Sequence, residues 1–344
     1  MKIFLTGVDG YIGALLAPLL IARGHEVIGL DTGFYRQGWL YSDPATAGVS
    51  PRTLCKDLRH IEPDDLAGSD CVIHLAELSN DPLGEMRPDV TVQINHGASV
   101  RLAVMAKRAG VPRFVYTSSC SVYGARGQVL LTEQSETDPQ TTYARCKVLV
   151  ETDVGALADD RFSPVFLRNA TAYGASPRMR FDIVLNNLAG LARTTGKICM
   201  TSDGTPWRPL VHVLDICRGI ACAAEAPREL IHGEIFNVGH NDQNYQVREI
   251  ADLVKEEFTG CEVVMGSDSN DQRSYRVSFD KINARLPGFR CEWDARKGVA
   301  QLRRLFDRID LTGDQFRFRA FTRLEELKYL LRTQQLDDEL FWSH

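Results

Sequence analysis

The sequence predicts an α/β fold: a doubly wound parallel sheet followed by a smaller C-terminal α/β lobe. Three observations carry that expectation. Short apolar runs alternate with helically spaced segments through the first half, three glycines recur at three-residue intervals near the start, and the strand–helix rhythm changes after about Arg168. Parallel strands buried on both faces read as continuous apolar runs, and helical crossovers between them cover both faces of the sheet.

The runs at 3–5, 26–30, 72–75, 114–116 and 165–167 read as buried strands. Between them, 11–23, 89–109 and 142–157 carry apolar residues at helical spacing. Beyond Arg168, Pro and Gly cluster at 174–177 and 204–209, and mixed helices and short strands follow. We find no tandem repeat, low-complexity tract or flexible linker, so the two lobes are expected to share one continuous body.

Composition narrows the function classes. A chain of 344 residues is about twice a typical domain, and its 44% hydrophobic and 25% charged residues are those of a folded globular protein. The formal net charge of −5, with no long run of one sign, argues against a nucleic-acid binder. Nine scattered cysteines include no Cys-x-x-Cys pair, so no metal site is expected and reduced thiols in the cytoplasm fit best. Asp9, Gly10 and Gly13 interrupt the apolar start where a secretory signal needs continuity, and no run of about 20 apolar residues is present to span a membrane.

The opening Ile3-Phe4-Leu5-Thr6-Gly7-Val8-Asp9-Gly10-Tyr11-Ile12-Gly13 joins the first strand to the first helix. Gly7 permits a tight turn, Gly10 lets backbone approach a pyrophosphate, and Gly13 allows close helix–strand contact, while the helix N-terminus offers free N–H groups. The second strand ends in Asp31, 21 residues past Gly10, where a carboxylate accepts hydrogen bonds from an adenosine ribose. That carboxylate would repel a 2′-phosphate, which favours NAD over NADP.

The strand at 114–116 runs into Thr117-Ser118-Ser119-Cys120-Ser121-Val122-Tyr123-Gly124, and Tyr143 and Lys147 follow, four residues apart. On a helix they share one face. A phenol titrates near ~10 in water, but a neighbouring ammonium and an oxidised nicotinamide favour the phenolate. Tyr143 would then take a hydroxyl proton as hydride leaves the same carbon, with Ser119 holding the carbinol oxygen.

Thr6-Gly7-x-x-Gly10-x-x-Gly13, Asp31, Asp57-Leu58, His74-Leu75-Ala76, Asn95, Ser119 with Val122-Tyr123-Gly124, and Tyr143-x-x-x-Lys147 together resemble the extended short-chain dehydrogenase/reductases. Among these the sequence is most similar to the nucleotide-sugar epimerases and dehydratases, of the UDP-glucose 4-epimerase kind. The resemblance implies a Rossmann-type domain at 1–170 plus about 208–240, and a substrate lobe at 171–207 and 241–344. It assigns Gly7, Gly10, Tyr11, Ile12, Gly13, Asp31, Asp57, Leu58, Leu75, Ala76, Asn95, Tyr143 and Lys147 to the NAD site, and Ser119, Tyr143 and Lys147 to catalysis. Asp57 also reads as a turn cap and Asn95 as a buried backbone partner.

On the substrate side, Phe181-Asp182-Ile183-Val184-Leu185-Asn186-Asn187-Leu188 resembles the segment holding the nucleotide diphosphate, with Asn187 and Leu188 at the matching places. Arg208 stands where the family has its phosphate-binding arginine, which suits bidentate contact. The sequence departs from the pattern twice. Thr171 occupies a place where these enzymes often carry Asn, and the arginine expected near 271–276 falls on Asp268, leaving Arg273 or Arg276 as replacements. Cys120 and Ser121 stand where dehydratases carry an acid and a base, so 4,6-dehydration is not expected, although Cys120 is a candidate proton donor in contact with substrate.

The leading expectation is therefore an NAD-dependent epimerase of a nucleotide-activated sugar, working through a transient 4-keto intermediate. An NAD(H)-dependent 4-ketoreductase or dehydrogenase would use the same residues. A non-catalytic NAD-binding sensor would be expected to have lost Tyr143 or Lys147. Relatives often form homodimers through helices that correspond to 89–109 and 142–157, which implies a homodimer here.

Overall fold

The computed structural model describes residues 1–42, 48–79, 81–266 and 274–343. Its main body is a seven-stranded sheet in the order 235–238, 163–169, 113–119, 71–74, 2–6, 26–31, 52–55. All neighbouring strands in it run parallel. The strand Cys71–His74 is buried at every position, as a strand covered on both faces requires.

From Lys2–Thr6 the chain winds outward through Glu26–Asp31 to Arg52–Cys55, then returns to Cys71–His74 on the other side of the first strand. This reversal opens a crevice at the carboxyl ends of Lys2–Thr6 and Cys71–His74, where doubly wound sheets bind ligands. The strands at 52–55 and 235–238 were not among the expected ones. Arg52–Cys55 is a largely exposed edge strand without an apolar run, and Ile235–Val238 is only four residues long.

The expected helix at 89–109 is continuous in space but changes its winding. It comprises Pro88–Thr91, a π-helical segment Val92–Ala98, and Ser99–Arg108. The helices Gly13–Ala22 and Thr142–Gly155 match the periodicity of the sequence closely.

Smaller sheets build the remainder. Trp207–His212 pairs with Thr171–Tyr173 and Asn244–Gln246, so this segment is not a strand of the large sheet. The helix after it, Val213–Glu225, packs on Gly13–Ala22, and the next strand, Ile235–Val238, joins the large sheet beside Ser163–Asn169. A second core gathers around Phe181, which meets Phe306, Phe316 and Phe321 at ring-centroid separations of 6.0, 4.8 and 5.8 Å. No helix among the described residues is long and apolar enough to cross a membrane.

Candidate active site

The first strand ends at Thr6, and Gly7 turns with φ of +72°, a left-handed conformation that favours glycine. A Cβ at Gly7 would lie 2.9 Å from the Ala76 amide nitrogen, and one at Gly13 would lie 2.2 Å from the Gly7 carbonyl oxygen. The loop closes onto the sheet only with these glycines. The helix Gly13–Ala22 has no side-chain cap from Ile12 and no acidic residue in its first turn, so its N-terminus is an anion-binding end.

Gly7, Gly10, Tyr11, Ile12 and Gly13 form one wall of a cleft of about 640 Å³. Asp31, Asp57, Leu58, Leu75, Ala76, Ser119, Tyr143 and Lys147 line the same cleft. Asp31 accepts from the Gly33 and Asp9 amides at 2.7 and 3.1 Å; these bonds fix the carboxylate at the strand end, and burial pushes its pKa up. Asp57 caps the turn Leu58–His60, accepting from the Arg59 amide at 2.8 Å, so its capping role and its place in the cleft coincide. A dinucleotide suits this lining: an anion-binding helix end, a fixed carboxylate for a ribose, and apolar Leu58 and Leu75.

Asn95 lies behind the cleft wall. Fully buried on the π-helical segment, its amide accepts from the Leu78 N–H at 2.8 Å and donates to the Leu78 carbonyl at 3.0 Å. It thus holds the backbone of the segment that carries Leu75, Ala76 and Glu77.

Tyr143 and Lys147 rise from the helix Thr142–Gly155, which Thr141 caps by accepting from the Ala144 amide at 3.2 Å. Lys147 Nζ lies 5.4 Å from the Tyr143 ring centroid and donates to the Thr117 carbonyl at 2.5 Å. Ser119 ends the strand Arg113–Ser119, its hydroxyl accepting from the Ser121 amide at 3.1 Å. The three residues assigned to catalysis therefore meet in one cleft, with the ammonium directed across the phenol ring.

Sequence reasoning missed Glu77, Arg180 and Arg323, which line this cleft too. Lys147 Nζ lies 2.6 Å from Glu77 Oε2, and the Tyr116 hydroxyl donates to Glu77 Oε1 at 2.6 Å. Burial raises the Glu77 pKa while the Lys147 charge opposes that rise. The available signal was an acidic residue directly after Ala76. Arg180 forks onto Asp182 at 2.9 and 3.0 Å, a pairing two residues apart that the sequence does display.

Thr171, Asn187, Leu188 and Arg208 also line the cleft, together with Tyr275. Asn187 donates to the Phe181 carbonyl at 2.9 Å, and Arg208 to the Trp207 carbonyl at 2.9 Å. Cys120 is placed elsewhere: it is wholly buried in the core, and its thiol donates to the Arg168 carbonyl at 3.2 Å. Burial pushes that thiol's pKa up, so the proton-donor expectation for Cys120 is corrected: it neither touches the cleft nor releases a proton near neutrality. Arg276 lies over the Trp207 ring, 4.8 Å from its centroid. Its strand neighbour Tyr275 takes the cleft-facing place, because successive strand side chains alternate. Arg273 and Asp268 fall outside the described residues. No group of three or more His, Cys, Asp or Glu that would hold a metal occurs among the described residues.

Comparison with known proteins agrees with this geometry. The profile of the NAD-dependent epimerase/dehydratase family matches residues 3–239. A UDP-glucose 4-epimerase of Bacillus subtilis is 27% identical over 332 residues, covering 88% of this chain and 94% of its own. One from Corynebacterium glutamicum is 27% identical over 271 residues, covering 74% and 80%. Among solved structures, MoeE5 in complex with UDP-glucose and NAD is 26% identical with a TM-score of 0.76, covering 90% of this chain and 99% of its own. The fold is also that of TunA, an NAD-dependent NDP-hexosamine 5,6-dehydratase of tunicamycin biosynthesis, with 23% identity, a TM-score of 0.79, and coverage of 90% and 99%. A glycine-walled cleft that unites Asp31, Ser119, Tyr143 and Lys147, and a profile match over most of the chain, make this protein a member of the NAD-dependent epimerase/dehydratase family, enzymes of the extended short-chain dehydrogenase/reductase type.

Proposed function

We propose that this enzyme epimerises a nucleotide-activated sugar at C4 through a transient 4-keto intermediate. One observation carries the reading: Ser119, Tyr143 and Lys147 line a single cleft together with the glycine loop, Asp31, Asn187 and Arg208. NAD, when bound, supplies a hydride acceptor that can return the same hydride. Tyr143 takes the C4 hydroxyl proton and later gives it back, as a positioned acid–base must. Lys147 keeps positive charge beside the phenol, which favours the phenolate, and Ser119 holds the C4 oxygen. Arg208 and Asn187 grip the nucleotide diphosphate, leaving the sugar free to turn over in the cleft between oxidation and reduction.

The relatives named UDP-glucose 4-epimerase support this reading, and so does the residue pair after Ser119. Dehydration needs proton transfer at two adjacent carbons, and Cys120 and Ser121 supply no carboxylate. The nine cysteines are free thiols, which supports a reducing, cytoplasmic setting. Val92 and Leu149 are more than two-fifths exposed on the two helical segments through which relatives pair, which supports a homodimer that light scattering would detect.

Incubating the purified protein with UDP-glucose and other nucleotide sugars tests the function. Epimerisation gives the C4-inverted product with no lasting absorbance at the reduced-nicotinamide band. Turnover only with stoichiometric NADH would instead identify a ketoreductase and overturn the reading.

A further inference from the structure

We propose that the Arg323 guanidinium is a ligand of the dinucleotide's pyrophosphate, so that the C-terminal segment completes the cofactor site. Arg323 opens the helix Arg323–Arg332 and lines the cleft with Thr322 and Leu324. It lies well beyond residue 239, where the family match ends, so nothing in that match assigns it a role.

The side chain is buried with its hydrogen-bonding capacity unmet. Arg323 is 3% exposed, and its side-chain hydrogen bond runs from Nη1 to the Ala320 carbonyl at 3.4 Å. A guanidinium carries five N–H donors. None of the ion pairs found among the described residues includes it. The carboxylates that act on it electrostatically, Asp31 and Asp182, are committed elsewhere, Asp31 to two backbone amides and Asp182 to Arg180. Burial accordingly pulls the Arg323 pKa down to about 10. A buried, underbonded charge is costly, and an anion entering the cleft would remove that cost.

The position selects which anion. A dinucleotide in this cleft runs from Asp31, which takes the adenosine ribose, to Tyr143. Arg323 lies over Tyr35, four residues past Asp31, and its backbone N–H donates at 3.4 Å to Asp182, the carboxylate that pairs with Arg180 on the other side of the cleft lining. Arg323 thus stands between the two ends, where the pyrophosphate passes. Its guanidinium carbon lies over the Tyr35 ring, 4.0 Å from the centroid, and a guanidinium held on a ring face keeps its N–H edge for bidentate contact with phosphate.

The rest of the tail ties this residue to the adenosine side. Trp342 Nε1 donates to the Thr32 carbonyl at 2.7 Å, directly after Asp31. Arg59 Nη1 donates to the Glu339 carbonyl at 2.7 Å, and its guanidinium lies 3.5 Å from the Phe341 ring centroid. Both loops that would frame the adenosine are therefore joined to the segment that delivers Arg323.

This inference rests on a dinucleotide occupying the cleft, not on which sugar is turned over. The test compares the full-length protein with Arg323→Gln and Arg323→Lys, measuring NAD retained through purification and the affinities for NAD, ADP-ribose, NADP and UDP. NAD in the wild-type protein first secures the occupancy on which the inference depends. Arg323→Gln is expected to lose about 10- to 100-fold in affinity for NAD and ADP-ribose alike, as removal of a bidentate charged contact does, with UDP binding unchanged. Arg323→Lys keeps the charge without the fork and should fall between; it carries the same test if the Gln variant does not fold. Wild-type affinity for ADP-ribose in the variants, or a loss confined to NADP, would overturn the assignment.

Discussion

Lys147 Nζ lies 2.6 Å from Oε2 of Glu77, and both side chains are almost wholly buried. The ammonium expected to act on Tyr143 is thus shared with a carboxylate, which weakens its hold on the phenolate. Tyr116, His74 and Cys146 are the other titratable neighbours; burial keeps Tyr116 and Cys146 protonated and pulls His74 down to about 3, leaving all three uncharged near neutrality. In Glu77→Gln the full ammonium charge acts on Tyr143 and favours its phenolate, so the ascending, acid-side limb of the kcat/KM profile should move down by about one pH unit. A profile superimposable on the wild type would show that Glu77 does not act through Lys147.

Gly13 is a matter of backbone contact. A Cβ there would meet the Gly7 and Val8 carbonyl oxygens at 2.2 and 2.7 Å, and neither atom can rotate away as a flexible side chain would. Gly13→Ala should force the glycine loop off the helix, lower stability by about 1–3 kcal/mol, and leave purified protein depleted of NAD. Thermal melts together with the cofactor content of the released ligand check both parts, and normal NAD occupancy would contradict the role given to this glycine.

The legible parts of the site were those where chemistry and local spacing coincide. Gly7, Gly10 and Gly13 declare a backbone requirement, Asp31 stands at a strand end, and Tyr143 and Lys147 sit one helical turn apart, so each follows from sequence spacing. Cys120 was misread because adjacency to Ser119 says nothing about which way a side chain points: Ser119 faces the cleft and Cys120 turns into the core. Arg323 was invisible for a different reason. Tyr35, under its guanidinium, and Asp182, which accepts from its backbone N–H, are distant in sequence, and only the packing of the C-terminal helix brings the three together. In the fold, buried runs such as Cys71–His74 were plain, whereas the exposed edge strand Arg52–Cys55 has no apolar pattern to read.

Arg168 supports the strand that carries Ser119 from behind. Its guanidinium meets Glu151 at 2.6 Å, and Ser118 donates to the same carboxylate at 2.5 Å, which links strand 163–169, helix 142–155 and strand 113–119. Arg168→Met leaves Glu151 buried without its counter-charge and should cost about 3–5 kcal/mol. The double variant Arg168→Met with Glu151→Leu removes both charges and should recover part of that loss. Urea unfolding of the four proteins measures the coupling, and additive single effects would deny it.

His74 gives the fold an acid sensitivity whose sign follows from its burial. Its ring lies 2.7 Å from Thr6 Oγ1 and 2.7 Å from Ser99 Oγ, and burial, helped by the Lys147 charge, lowers its pKa from 6.5 to about 3. Between these values the unfolded chain binds a proton that the folded chain refuses. Stability contributed by neutral His74 is therefore fully present above about pH 6.5 and is lost as the pH falls toward 3, by up to about 1.4 kcal/mol per pH unit. His212, lowered by burial to about 4, adds to the loss over the upper part of that window. His74→Gln keeps a polar side chain between Thr6 and Ser99 and has no proton to bind. It should start less stable at pH 7.5 and then lose stability more slowly on acidification, the difference in slope between pH 6 and 4 approaching one proton. Urea midpoints at several pH values for both proteins decide the matter, since parallel curves would mean that His74 is not held neutral in the folded state.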